Sequence, residues 1–206
     1  DNVFATPVLQ SPLALGADRV VYSATKHIDG QGRVLGGVAL GSEEWVRGTL
    51  QPFLRHTGPA MSPFNAWVLT KALETMRLRV EHQSATALDL AVRLEGTEGV
   101  EQVWYPMLPS HPDHELARSQ MSAGGTVVTF AVEGGAERAF RLLNALEMVD
   151  ISNNLGDSKT LVTHPESTTH RRLSAEVRAA MGILTGVIRM SVGPEDVEHL
   201  WEHARP

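Results

Sequence analysis

From residue 100 onward the chain alternates two textures that no single kind of layer can satisfy. Apolar runs of strand length (Val100 to Trp104, Gly125 to Val132, Met148 to Ser152, Gly186 to Gly193) are separated by helically spaced stretches. Those stretches run from His114 to Met121, from Ala136 to Leu146 and from Ser174 to Met181, and Pro194 opens a last one. A sheet buries a face and an amphipathic helix buries a stripe, so the alternation predicts a small α/β domain with helices on one side of its sheet. The first forty residues add short runs that suit buried strands at a sheet edge: Val3-Phe4, Arg19 to Ser23 and Gly37 to Leu40. Ser42, followed by Glu43-Glu44, signals a capped helix through Leu54. Ser62-Pro63 opens a longer helix to about Leu94, with Val68, Leu69, Ala72, Leu73 and Met76 on one face and Gly96 and Gly99 as its stop. The texture changes along this helix, which places a domain boundary near its middle, dividing residues 1–80 from residues 81–206.

Composition narrows the function classes. Of 206 residues, 42% are hydrophobic, enough for a sizeable core, and no run approaches the roughly 20 apolar residues that cross a bilayer. A formal charge of -6 gives no electrostatic support for a nucleic-acid partner. The basic group Arg77, Arg79 and Arg93 reads as a solvated helix face. Cysteine is absent, which removes disulfides, thiolate nucleophiles and cysteine metal sites, and a reducing cytoplasm is compatible with that. Asp1-Asn2 carries no secretory signal and reads as the end of a strand, and the last residues stop at a helical pattern, so the chain is read as a piece of a longer protein.

Three places carry chemistry. Lys26 ends the run Val20-Val21-Tyr22-Ser23-Ala24-Thr25-Lys26, just before the glycine-rich Gly30 to Gly37. Partial burial disfavours an ammonium and frees the amine as a nucleophile, although most lone lysines are simply solvated. The hydroxyls of Ser23 and Thr25 beside it suit a phosphate dianion, or else nearby backbone. Arg189 interrupts the apolar strand pattern Val187 to Val192, and a half-buried guanidinium there needs an internal acid or a substrate carboxylate. Other motifs fail. Gly30-Gln31-Gly32 lacks the dinucleotide and triphosphate fingerprints, and no serine-hydrolase elbow exists. His111 and His114 lack a third ligand, so no metal site is expected.

Together these motifs resemble the Cys/Met-metabolism family of pyridoxal-phosphate enzymes. The likeness rests on Asp1-Asn2-Val3-Phe4-Ala5-Thr6-Pro7, Ser23-Ala24-Thr25-Lys26, Asn154-Leu155-Gly156-Asp157, Thr163-His164-Pro165, Thr169-His170 and Ile188 to Gly193, and so spans nearly the whole chain. It implies a fold-type-I transferase: the end of a large cofactor-binding domain, then a small C-terminal α/β domain. It also implies that Lys26 holds pyridoxal 5'-phosphate covalently and moves protons. Asp1 would pair with the pyridine nitrogen, Ser23 and Thr25 would hold the phosphate, and Arg189, helped by Asn154 and Leu155, would clamp the substrate carboxylate. The turn from Lys26 to Gly37 and Asn153-Asn154-Leu155-Gly156 are similar to those of O-succinylhomoserine sulfhydrylases, implying sulfide replacement at the γ-carbon in methionine biosynthesis. Cystathionine γ-synthase, a methionine or cystathionine γ-lyase, or a non-catalytic α/β scaffold or oligomerisation module are the alternatives. The family's first half supplies further cofactor contacts, and its members form homodimers or homotetramers with shared sites, so 206 residues alone are expected to hold half of a site.

Overall fold

The computed structural model describes residues 1–204. After an opening turn, α1 (Thr6–Leu9) leads to two antiparallel strands, β1 (Arg19–Ser23) and β2 (Gly37–Gly41), in a two-stranded sheet of their own. Val3 and Phe4 form a turn instead of the expected strand. The cause lies in Asn2, whose amide donates to Thr6 O (3.1 Å) and Tyr22 Oη (3.2 Å) and folds the chain back. One ladder bond remains, from Asn2 N–H to Val21 O. β1 is covered on one face only: Val20 and Tyr22 are buried while Val21 is exposed.

A nearly continuous helical stretch follows, made of α2 (Glu43–Trp45), a π-turn (Val46–Leu50) and α3 (Gln51–Thr57). It outruns the expected end at Leu54 and closes at Gly58, whose left-handed backbone terminates the helix. Next comes α4 (Pro63–Glu95), 33 residues and so about 50 Å long. Both predicted serine caps form, with Ser42 Oγ accepting from Trp45 N–H and Ser62 Oγ accepting from Asn65 N–H.

Helix α4 serves two apolar cores. Its first half contributes Val68, Leu69, Met76 and Val80 to a cluster with Leu9, Val20, Tyr22, Ile28 and Val34. Its second half contributes Ala87, Leu90, Ala91 and Leu94 to the core of the second sheet. Leu73, expected on the buried face, lies at the margin of the stripe and is exposed. The arginines of α4 depart further from expectation. Arg79 turns inward onto backbone carbonyls, and Arg93 bridges Asp89 and Glu198; only Arg77 fits the solvated face.

The second sheet is mixed, with strand order β3-β4-β7-β6-β5. Its strands are β3 (Val100–Trp104), β4 (Val127–Val132), β5 (Asp150–Ile151), β6 (Leu161–Thr163) and β7 (Val187–Ser191). Only β5 and β6 pair in parallel. β5 is shorter than its apolar run suggests, and β6 is too short to have a periodicity of its own. Helices α5 (His114–Gln120), α6 (Gly135–Ala145), α7 (Ala175–Ala180) and α8 (Val197–Ala204) complete the order. Pro194 does not start the last helix: Asp196 Oδ1 accepts from the Glu198 and His199 N–H groups and caps it instead. Val128, Phe130, Val132, Ile188 and Met190 point to one face, where α4, α6 and α8 cover them. The period of two therefore sends Arg189 to the opposite face, between Thr129 and Thr163 in register. Among the described residues no helix is long and apolar enough to cross a membrane.

Candidate active site

Lys26 does not sit in a loose turn. β1 ends at Ser23, and Ala24–Ile28 form a single π-turn in which Lys26 leaves helical geometry (φ -88°, ψ -126°). The following glycines bring the chain back to β2, with Gly30 and Gly32 at φ 68° and 63°. Asp29, fully buried, accepts from the Arg33 N–H (2.6 Å) and Arg33 Nε (3.0 Å). His27 is also buried; its Nε2 lies 2.7 Å from Thr126 Oγ1 at the entry to β4. Burial, reinforced by the Arg79 guanidinium, pushes the His27 imidazole down to about 4, so it is neutral near pH 7.

Two residues far apart in the chain, Asn154 and Arg189, converge near the lysine. Lys26 Nζ donates to Asn154 Oδ1 at 2.5 Å. Arg189 Nη2 donates to Asn153 O (2.8 Å) and Asn154 O (3.2 Å), so Asn154 touches both cations through different oxygens. Arg189 Nε is buried without a partner. Burial first, then the Arg189 charge, lowers the Lys26 pKa and raises its neutral fraction. The loop carrying Asn154 is itself fixed. Thr163 Oγ1 donates to Asn153 Oδ1 (2.7 Å), the Gly156 N–H donates to Ser191 Oγ (2.9 Å), and Gln83 Nε2 donates to Asp157 O (2.7 Å) and Val192 O (2.9 Å). Gly156, at φ 72°, lets this loop lie against the lysine turn, since a Cβ there would come 2.7 Å from His27 N.

The remaining expected residues stand differently. Asp1 is exposed and its Oδ1 accepts from the Val3 N–H at 2.7 Å. Ser23 lies at the mouth of the π-turn, and no side-chain capping bond engages it. Thr25 Oγ1 is closed onto Gly36, accepting from its N–H (3.1 Å) and donating to its carbonyl (3.4 Å), which is the backbone-bonding alternative. Leu155 is buried beside Asn154.

A family model described as Cys/Met metabolism PLP-dependent enzyme matches residues 1–204. The chain belongs to this family. It is 58% identical over 204 residues to an O-succinylhomoserine sulfhydrylase of Mycobacterium tuberculosis, covering 97% of this chain and 50% of the relative. An O-succinylhomoserine sulfhydrylase of Pseudomonas aeruginosa is 54% identical over 200 residues, covering 97% and 49%. Among solved structures, a cystathione gamma lyase from Micromonospora echinospora superposes with a TM-score of 0.96 at 41% identity, covering all of this chain and 54% of that one. The chain thus spans about half the length of the curated relatives it matches.

The residues present fit the family's cofactor, pyridoxal phosphate. The amine is the group that an aldehyde requires, its pKa is lowered by burial and the Arg189 charge, and Asn154 holds it. What the sequence missed is the support. His27, Arg79 and Gln83 each reach a backbone or side chain more than 50 positions away, and no local spacing signals such contacts.

Proposed function

We propose that the protein carrying this chain performs γ-replacement on O-succinyl-L-homoserine. The γ-carbon loses succinate and gains sulfide, giving L-homocysteine for methionine biosynthesis. Supporting this are the identities of 58% and 54% to two O-succinylhomoserine sulfhydrylases. The observation that carries the reading is the convergence of Lys26 and Arg189 on Asn154, the first on its Oδ1 and the second on its backbone carbonyl.

Pyridoxal phosphate, bound at Lys26, supplies an electron sink for the negative charge that develops when a proton leaves the α-carbon. The work of this chain is to bind, orient and move protons. Lys26, whose pKa is lowered by burial and the Arg189 charge, takes the α-proton and later returns it, and Asn154 Oδ1 orients its amine. Arg189 receives the substrate α-carboxylate, while Asn153 O and Asn154 O fix its Nη2. Leu155, buried next to Asn154 in the same loop, helps through its backbone. Asp1 would pair with the pyridine nitrogen through its carboxylate. Ser23 would hold the phosphate, joined by Thr25 once its hydroxyl turns from Gly36.

Residues 1–80 then form the end of the cofactor-binding domain and residues 81–206 the small domain, a division supported by the two cores that meet along α4. The same reading has a cytoplasmic homodimer or homotetramer with shared sites, for which exposed Phe64, Trp67 and Leu78 offer apolar contact area. A γ-lyase is the second reading, favoured by the likeness to the Micromonospora echinospora enzyme.

The test replaces Lys26 by alanine and supplies O-succinylhomoserine with sulfide, or methionine or cystathionine alone. The expected result is succinate release dependent on sulfide, lost by at least about 1,000-fold in Lys26→Ala. Sodium borohydride is expected to fix the cofactor on Lys26. Normal turnover by Lys26→Ala would remove the assignment, and breakdown of methionine or cystathionine without sulfide turnover would move it to the lyases.

A further inference from the structure

The turn that carries Lys26 ends after barely more than one helical turn, and a helix end leaves carbonyls without intrahelical partners. Each carbonyl here has a traceable destination. Lys26 O accepts from the Gly30 N–H (2.7 Å), Asp29 O accepts from Arg33 Nη2 (3.0 Å), and Gly30 O accepts from the Ser158 N–H (2.6 Å). The two between them, His27 O and Ile28 O, accept from Arg79 Nη1 (3.0 Å) and Nη2 (3.4 Å). Arg79 is rooted in α4, where Nη2 also donates to Ala72 O (3.1 Å) and Nε to Thr75 Oγ1 (3.2 Å). Gly30 makes room for it, since a Cβ there would lie 1.9 Å from Arg79 Nη1.

We infer that Arg79 is a positioning residue for Lys26: its guanidinium ties the carbonyls that follow the lysine to α4 and so fixes where the amine points. This rests on the reading of Lys26 as the cofactor lysine. Arginine suits the task because its planar fork serves several acceptors at once, whereas a lysine ammonium is a point donor. Burial and the Arg33 charge lower the Arg79 pKa, and Asp29 and Asp157 partly offset them. The same helix holds the Asn154 loop through Gln83, so α4 sets both sides of the Lys26–Asn154 contact.

The experiment makes Arg79→Lys and Arg79→Met in the protein that carries this chain. Amide hydrogen exchange is followed in the cofactor-free form, in peptides covering residues 24–30 and 187–191. Attachment of added pyridoxal phosphate is followed by visible absorbance and borohydride fixation. The expected outcome is exchange at least tenfold faster in 24–30 with 187–191 unchanged, and attachment slowed at least tenfold, more in Arg79→Met than in Arg79→Lys. Unchanged protection of 24–30 in both variants overturns the inference. Parallel loss of protection in both peptides, in both variants, marks Arg79 as a general stability residue and also overturns it. Failure of the parent protein to attach pyridoxal phosphate sinks the functional reading instead, and the exchange comparison still decides the role of Arg79 in shaping the turn.

Discussion

His27 makes the fold sensitive to mild acid, and the size of the effect follows from its surroundings. The imidazole is 2% exposed, its Nε2 meets Thr126 Oγ1, and burial with the nearby Arg79 charge pushes it from 6.5 down to about 4. Above pH 6.5 it is neutral in both folded and unfolded chains and contributes no pH dependence. Between pH 6.5 and about 4 the unfolded chain binds a proton that the folded chain refuses, so stability falls as pH falls. Below pH 4 the loss is complete. At about 1.36 kcal/mol per pH unit, that window is worth about 3 kcal/mol. Urea unfolding of the protein that carries this chain, measured from pH 8 to pH 4.5, tests this against His27→Gln. Glutamine offers an amide to Thr126 but cannot ionise, and carboxylates titrating in the same range affect both proteins alike. The parent is expected to lose about 2 to 3 kcal/mol more than the variant across the range. Parallel pH profiles would refute the claim that a buried neutral imidazole links the lysine turn to β4.

Two further substitutions probe the loop that brings Asn154 to Lys26. Gln83→Leu leaves Asp157 O and Val192 O without their shared donor and is expected to cost about 3 kcal/mol in urea unfolding; a loss below about 0.5 kcal/mol would show that the bridge is dispensable. Gly156→Ala places a Cβ at φ 72° and 2.7 Å from His27 N. It is expected to cost at least about 1 to 2 kcal/mol and to slow cofactor attachment at Lys26 by pushing Asn154 away; unchanged attachment kinetics would separate the loop from the lysine.

Local chemistry was enough to read much of this protein from its residues. Ser42 and Ser62 announce helix starts because a cap acts within three positions, and the apolar spacing of α4, β4 and β7 reports which side faces a core. Arg189 was conspicuous for the same reason: a strand alternates faces, so a charge inside an apolar run must either lie on the other face or find a partner. Lys26, Asn154 and Arg189 were legible as members of one motif set, and so was the family. Two errors fell where a contact across the chain overrides the local pattern. Val3-Phe4 reads as a strand until Asn2 finds Thr6 and Tyr22, and Arg79 reads as solvated until the lysine turn presents its bare carbonyls.

The sequence by itself determined most of the elements, the α/β class and the candidate site side chains, because periodicity, capping and burial preference are short-range. Tertiary structure alone decided how the amine is held. Helix α4 reaches the lysine turn through Arg79 and the Asn154 loop through Gln83, across separations of 52 and 74 positions. Unsatisfied buried carbonyls are costly wherever the fold creates them, but the identity of their donors appears only when the chain has closed.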